Sequence, residues 1–295
     1  MSYETILLEF KDRIAVVTLN RPDKFNSIRP PMTDELDDAL KRANADKDVR
    51  VIILHGAGHS FCAGFDFSGN LDHFSGWGLQ GEPEEWDPGR DMMSVTNPFS
   101  GPIPKIMGIW RSPKPVITKV QGWAVGGGSE MALLGDLVIA SDDARIGTPF
   151  SRVWGSYLTA IWTYRLGLTR AKFYALTGNS ISGKEAAQIG LVNFSHPLEE
   201  LDAKVWEMAE RLAKIPVTQL ATMKLVTNQI FDNMGMQTAQ ILGGVLDGFM
   251  RHTPEAREFV RTAKTKGVGA AVAARDAPFG DYSQGGPEMK PRRLP

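Results

Sequence analysis

The chain has 295 residues, 42% hydrophobic and 23% charged, with 33 basic against 34 acidic side chains and a formal net charge of -1. This is soluble globular composition with material for a sizeable core, and it lacks the basic footprint that a nucleic-acid partner demands. Cys62 is the single cysteine, which excludes an internal disulfide and leads us to expect a reducing, cytoplasmic setting.

The opening "MSYETILLEF" carries Glu4 and Glu9 and lacks the basic-then-apolar layout of a signal peptide. Within it, "ETILLEF" and the following "RIAVVTLN" have strand composition and meet at Lys11-Asp12, so an antiparallel pair is expected. "NRPDKFNSIRPPM" is a Pro- and Asn-containing loop, and Thr33 has the chemistry to cap a helix through "DELDDALKRANAD". "VRVIILHG" is a continuous apolar run, as in a strand buried on both faces, and "AGHSFCAGFDF" is a glycine-containing connection. From residue 68 to 104 the chain is rich in Gly, Pro, Asp and Glu but holds Phe74, Trp77, Trp86 and Phe99. A long aperiodic stretch reads as a functional lid or a disordered segment, and the aromatics favour order.

"KPVITKVQG" is the next strand, and "GGGSE" turns it into a helix starting near Gly127 or Gly128. "DLVIASDDARIG" gives a further strand or two; its Asp136 also interrupts the best apolar run, so no membrane-spanning helix is expected. Beyond "SYLTAIWTYRLGLTRAKFYALTG" the helical period dominates, with "LDAKVWEMAERLAKIP", "QLATMKLVTNQIFDNMG" and "TPEAREFVRTAKTKG" as successive amphipathic helices. The end, "GDYSQGGPEMKPRRLP", reads as an extended tail.

Three glycines running into Ser129 and Glu130 are costly inside regular structure and need a reason. At a helix start the unpaired amides face outward at the positive end of the dipole, and glycine lets a ligand oxygen approach them. Two other glycine-loop chemistries fail. A P-loop needs Gly-Lys-Ser/Thr, and no lysine lies between Lys119 and Lys172. A nucleophile elbow needs G-x-S-x-G, and Ser129 is followed by Glu130 and Met131. The five histidines show no metal-binding spacing.

Taken together, "VRVIILHGAGHSFCAGFDF" and "SPKPVITKVQGWAVGGGSEMALLGDLVIASDDARIGTP" resemble the crotonase (enoyl-CoA hydratase/isomerase) superfamily. "NRPDKFNSI" is similar to that family's early N-R-P loop. "ALTGNSISGKEAAQIGLVNFSHP" is similar to its later signature, with Gly183 where alanine is usual. The resemblance implies an α/β fold, a crotonase-like spiral of ββα units with two roughly perpendicular sheets and a C-terminal helical region. Residues 1–197 would form the spiral core with a variable insert at 68–104, residues 198–275 the helical trimerisation region, and 276–295 the tail.

The same resemblance implies an oxyanion hole for an acyl-CoA thioester, made by the amides of Phe65 and Gly127. It places Gly126, Ala63, Asp66 and Phe67 beside the pantetheine path and Lys24 and Phe25 near the nucleotide end. Glu130 falls on a family glutamate that activates the water added at the β-carbon. The substrate would ride on coenzyme A, with no separate cofactor, no metal, no nucleic-acid or membrane partner, and a homotrimer or homohexamer as the assembly. The second acid of that family, expected in G-x-P-E, is absent: the segment reads Gly147-Thr148-Pro149-Phe150. The aspartate used by related dienoyl isomerases falls near Thr159. Three explanations stay open. Another group fills in (Asp72, Glu84, Glu85, Asp87 or Tyr157); Glu130 runs a one-base isomerisation or hydrolysis; or the protein binds acyl-CoA without turnover. Enoyl-CoA hydratase is the first expectation, with isomerase, hydrolase and binding protein as alternatives.

Overall fold

The computed structural model describes residues 3–68, 86–97 and 101–280. Strands β1 (Ile6–Lys11) and β2 (Ile14–Leu19) form the expected antiparallel pair, with Lys11 opposite Ile14 and Asp12 left-handed in the turn at φ 53°. Helix α1 (Met32–Ala45) begins one residue before the expected cap. Pro31 stands at the cap position and offers no side-chain acceptor, so Thr33 lies buried inside the first turn. Glu35 of that turn instead reaches back to accept from the amides of Glu4 and Thr5 at 2.6 and 2.8 Å, tying the helix to the chain start.

β3 (Val51–Gly56) follows as the doubly covered strand. The segment expected to be irregular is helical in part of its described portion, α2 (Pro88–Thr96) and α3 (Pro102–Ile106). Asp87 caps α2 by accepting from the Gly89 and Arg90 amides, and Pro88 sits at its first position, where a missing N–H costs nothing. Asp72, His73, Phe74, Trp77, Glu84, Glu85 and Phe99 lie outside the described residues.

Then come α4 (Gly108–Arg111), β4 (Val116–Val120), β5 (Trp123–Val125), α5 (Gly127–Leu133), β6 (Leu137–Ser141) and β7 (Arg145–Gly147). After a 3-10 turn at Pro149–Arg152 follow α6 (Ile161–Thr177), β8 (Ile181–Ser182), α7 (Gly183–Gln188) and β9 (Phe194–His196). The chain closes with α8 (Leu198–Ala213), α9 (Val217–Asn233), α10 (Met236–Met250), α11 (Pro254–Lys266) and α12 (Val268–Asp276). Residues 281–295 of the expected tail are outside the described residues.

The strands make two sheets, a six-stranded one in the order β1-β2-β3-β4-β6-β9 and a three-stranded one in the order β5-β7-β8. From β2 to β9 the larger sheet is parallel, which explains its continuous apolar strands. β5, β8 and β9 have only two or three residues each, too few to show a period, and their pairing is dictated by the surrounding fold. One face of the large sheet presents Ile14, Val16, Val51, Ile53, Ile117 and Ile139 to Leu201, Val205, Ala209 and Ala213, every fourth residue of α8. The opposite face, with Ala15, Val17, Leu19, Ile52 and Leu54, joins the main core with Leu36, Met131 and Trp162. Among the described residues, no helix is long and apolar enough to cross a membrane.

Candidate active site

Each glycine of the triplet answers a different steric demand. Gly126 ends β5 at φ 57° and ψ −128°, backbone angles that L side chains rarely adopt, and its amide donates to the Gly147 carbonyl at 2.8 Å. Gly128 lies against the chain that crosses it, where a Cβ would stand 2.2 Å from the Cys62 carbonyl oxygen. Gly127 lies between them as the first residue of α5, so its amide has no intrahelical acceptor. A Cβ on Gly127 would meet the Phe65 ring at 2.8 Å.

The second glycine loop is stitched alongside. Cys62 donates to the Trp123 carbonyl at 2.9 Å and accepts from the Val125 amide at 3.0 Å, so "FCAG" runs next to β5. On its other flank Ile28 donates to Gly64, Asp66 donates to Ile28, and Ala63 donates to Phe25. Gly64, at φ 89°, has room for no side chain: its Cβ would be 2.8 Å from the Val125 carbonyl and 3.6 Å from the Gly127 nitrogen. Phe65 and Gly127, expected together from sequence, are thus brought side by side from positions 62 residues apart.

The neighbouring candidates divide. Lys24 and Phe25 end a 3-10 turn on the exposed rim of this loop, and Ala63 is exposed beside them. Asp66 is buried, with one oxygen on Arg21 at 2.8 Å and the other accepting from the Ser68 amide and hydroxyl. Burial alone would raise its carboxyl, but Ser68 and Arg21 outweigh it and hold Asp66 below the usual range. Its carboxylate anchors the loop. Phe67 turns inward, edge-on to Trp154 at 5.3 Å and Phe259 at 6.4 Å.

Glu130 lies one helical turn beyond Gly127, only 1% exposed. One carboxylate oxygen accepts from the Thr159 amide at 2.8 Å and the Thr159 hydroxyl at 2.9 Å; the other accepts from the Leu158 amide at 3.3 Å. Burial pushes its pKa up to about 7 against the pull of those donors, with the charge of Asp247 adding to the rise. The threonine found near the dienoyl-isomerase aspartate position therefore orients Glu130.

Phe150 occupies the place of the missing acid, its ring edge 3.6 Å from where a Cβ on Gly126 would be. The Tyr157 ring meets it edge-on at 6.1 Å, and the Tyr157 hydroxyl accepts from Thr148 Oγ1 at 3.3 Å. Burial pushes Tyr157 up to about 12, so it stays protonated near neutrality. Asp87 is committed to capping α2.

One acid of this neighbourhood escaped the sequence reading. Asp247 of α10 is 8% exposed, and burial pushes it up to about 6 against the pull of Arg251 and the Ser156 amide. The signal was available, a lone carboxylate inside the apolar "QILGGVLDGFM", the same anomaly that drew attention to Glu130. Burial pushes the Cys62 thiol up to about 12, which excludes it as a nucleophile at neutral pH. Among the described residues no group of three His, Cys, Asp or Glu side chains could hold a metal ion. What the arrangement offers is a carboxyl able to take or give a proton near neutrality, close to an outward-facing amide.

Comparison with known proteins gives this geometry a context. A model of the family "Enoyl-CoA hydratase/isomerase" matches residues 9–83 and 98–264. A probable mitochondrial enoyl-CoA hydratase of Dictyostelium discoideum is 31% identical, over 77% of this chain and 76% of its own. An (E)-benzylidenesuccinyl-CoA hydratase of Thauera aromatica is 32% identical over 86% and 93%. The crystal structure of an enoyl-CoA hydratase from Mycobacterium smegmatis superposes with a TM-score of 0.89 at 39% identity, covering 96% of this chain and 98% of that one.

Proposed function

The chain belongs to the enoyl-CoA hydratase/isomerase family, and we propose that it adds water across the double bond of a 2-enoyl-CoA. The observation that carries this reading is Glu130, buried, raised to about 7 and standing one turn into the helix that Gly127 opens. In its carboxylate form Glu130 takes a proton from water as the water oxygen bonds to the β-carbon. The double-bond electrons move to the thioester oxygen, where the Phe65 and Gly127 amides receive the charge as an oxyanion hole. Ala63, Gly126 and Phe67 border the path of the acyl carrier, Asp66 fixes the loop that carries Phe65, and Lys24 and Phe25 meet the nucleotide end of coenzyme A. Coenzyme A enters with the substrate; the reaction needs no separate cofactor and no metal.

Phe150 in place of a second acid favours one alternative, a single-base double-bond isomerisation through Glu130. That isomerases occur among the relatives is shown by a 1,2-epoxyphenylacetyl-CoA isomerase of Escherichia coli, 32% identical, whose substrate is an epoxide rather than an enoyl thioester. A panel of 2-enoyl-CoA thioesters, from crotonyl to aryl-substituted, separates the readings by loss of conjugated thioester absorbance and product mass. A gain of one water supports hydration; unchanged mass with a moved double bond means isomerisation; release of free coenzyme A means hydrolysis. Tight binding without turnover would make this an acyl-CoA-binding protein.

The assembly we infer rests on α9, which has no buried residue and exposes Leu225 at 67% and Ile230 at 56%. Together with exposed Leu242 and Phe249 of α10, this is more apolar surface than a monomer ordinarily leaves open. A second copy of this chain covers it. Light scattering on the purified protein is expected to give three or six times the 32.4 kDa chain mass, and Leu225→Lys is expected to lower it. Cys62, inert and unpaired with any other cysteine, suits a cytoplasmic location.

A further inference from the structure

Asp247 of α10 approaches the Phe150 neighbourhood from another direction. Loop 155–159 connects the two carboxylates. Its Leu158 and Thr159 amides hold Glu130, and its Ser156 amide holds Asp247. Ser156 and Leu158 are two residues apart, so at most about 7 Å of chain separates their amides.

Helix α10 is pressed onto this loop by design of its sequence. Gly243 packs so closely that a Cβ there would stand 2.1 Å from the Tyr157 carbonyl oxygen. Asp247, four residues on and therefore on the same helix face, puts Oδ1 3.5 Å from where a Cβ on Gly155 would be. One edge of the Phe150 ring makes both contacts, with Cδ1 2.8 Å from that same Gly155 point and the adjoining Cε1 3.6 Å from where a Cβ on Gly126 would be. One ring edge thus borders both the residue before α5 and the glycine against which the Asp247 carboxylate packs. Behind Asp247, Arg251 lies 3.4 Å away and is itself paired with Asp91 of α2 at 2.5 Å. Asp91 also accepts from Trp86 at 2.9 Å, so this buried network fixes the helix face.

We propose that Asp247 is the second acid of the reaction, delivering to or removing from the α-carbon the proton that the family pattern would assign to the position of Phe150. This rests on the enolate chemistry read above. The step balances as follows. As the water oxygen bonds to the β-carbon, Glu130 gains the water proton and the enolate forms. The enolate electrons then bond the α-carbon to the proton of the Asp247 carboxylic acid, leaving Asp247 charged. Solvent exchange returns one proton from Glu130 and restores one to Asp247. The groups facing the pair are Arg251 from α10, Asp91 from α2, and Tyr157 and Thr159 from the loop. Burial raises both carboxyls, Glu130 to about 7 and Asp247 to about 6, so each can hold or release a proton near neutrality.

The test is exchange of α-protons for deuterium in two saturated thioesters, butyryl-CoA and 3-phenylpropanoyl-CoA, incubated in D2O with the full-length protein. Wild type is expected to exchange at least one of them. Asp247→Asn is expected to lose exchange by 10²-fold or more, a typical general acid–base contribution, while binding the thioester within about threefold of wild type. Asp247→Ser, smaller and also without a carboxyl, repeats the measurement if the amide destabilises the fold. The pH profile of residual hydration in Asp247→Asn is expected to keep its fall on the acid side, from Glu130, and to lose its fall on the alkaline side. Exchange at the wild-type rate in both variants would overturn the proposal, as would no exchange by wild type with either thioester. Exchange that depends on Asp247, without any water addition in the enoyl-CoA panel, would instead sink the hydratase reading and leave this proposal standing.

Discussion

Glu130→Gln is expected to lose turnover of a 2-enoyl-CoA by about 10³-fold while still binding the thioester, because the amide keeps the shape of the side chain but cannot accept the water proton. The amide oxygen can take the 2.8 and 2.9 Å bonds from the Thr159 backbone and hydroxyl, and the NH2 forfeits only the longest bond, 3.3 Å from the Leu158 amide. The same variant has a second expected effect, on stability, with a defined sign. Burial raises the folded-state pKa of Glu130 from 4.5 to about 7. Below about pH 4.5 both folded and unfolded forms are protonated and the site carries no penalty. Between pH 4.5 and 7 the unfolded chain ionises first, so stability falls as pH rises, reaching a cost of roughly 3 kcal/mol above pH 7. Glutamine has no such term. Urea titrations at pH 4.5 and pH 8 are therefore expected to show Glu130→Gln gaining on wild type only at the higher pH. Equal differences at both pH values would mean that Glu130 is not strained by burial, and a variant that still hydrates would remove it from the chemistry.

Gly128→Ala is expected to be the most disruptive single methyl group in the triplet. The added Cβ would stand 2.2 Å from the Cys62 carbonyl oxygen and 2.8 Å from its carbon, and both are backbone atoms. Relief requires moving a chain that is fixed by hydrogen bonds to Trp123 and Val125 at 2.9 and 3.0 Å. Overpacking against backbone belongs at the upper end of its usual range, about 3 kcal/mol or more, which is roughly 6–12 °C in Tm for a chain of this size. Gly127→Ala meets a side chain, the Phe65 ring, which can rotate. That variant is expected to melt within a few degrees of wild type and to lose activity instead, since the displaced ring and the methyl sit beside the amide proposed to receive the thioester oxygen. Thermal melts and activity on the two variants separate the structural glycine from the functional one. Equal melting points would overturn this division.

The sequence made this contrast only half legible. The triplet announced that side chains were intolerable there, because glycine needs a reason in such a place. It did not announce three separate reasons, since the crossing chain belongs to residues 62–66, far away in sequence. The β-rich composition of "RIAVVTLN" and the apolar run of "VRVIILHG" point to β2 and β3 because burial writes itself into strand composition. Thr33 misled because capping depends on backbone angles that Pro31 had already taken over. Asp66 and Asp247 show the same limit from the other side. A carboxylate's role depends on which cation or amide it meets, Arg21 in one case and Ser156 in the other, and neither partner is near in sequence.

Four of the five strand pairings in the large sheet are parallel, and each parallel pair must be joined by a crossover rather than a tight turn. Every segment that meets at Gly127 thus arrives through a separate excursion of the chain, and loop-closure entropy must be spent before any such contact returns energy. The shortest contiguous stretch that contains the pair of amides, Glu130, its holding loop and Asp247 runs from residue 65 to residue 247. On the ribosome the chain has to wait for its last quarter, α10, before both carboxylates are in place. On the proposed mechanism, catalytic competence is among the last properties this polypeptide acquires during its own synthesis, and a product truncated before α10 is expected to lack turnover of acyl-CoA.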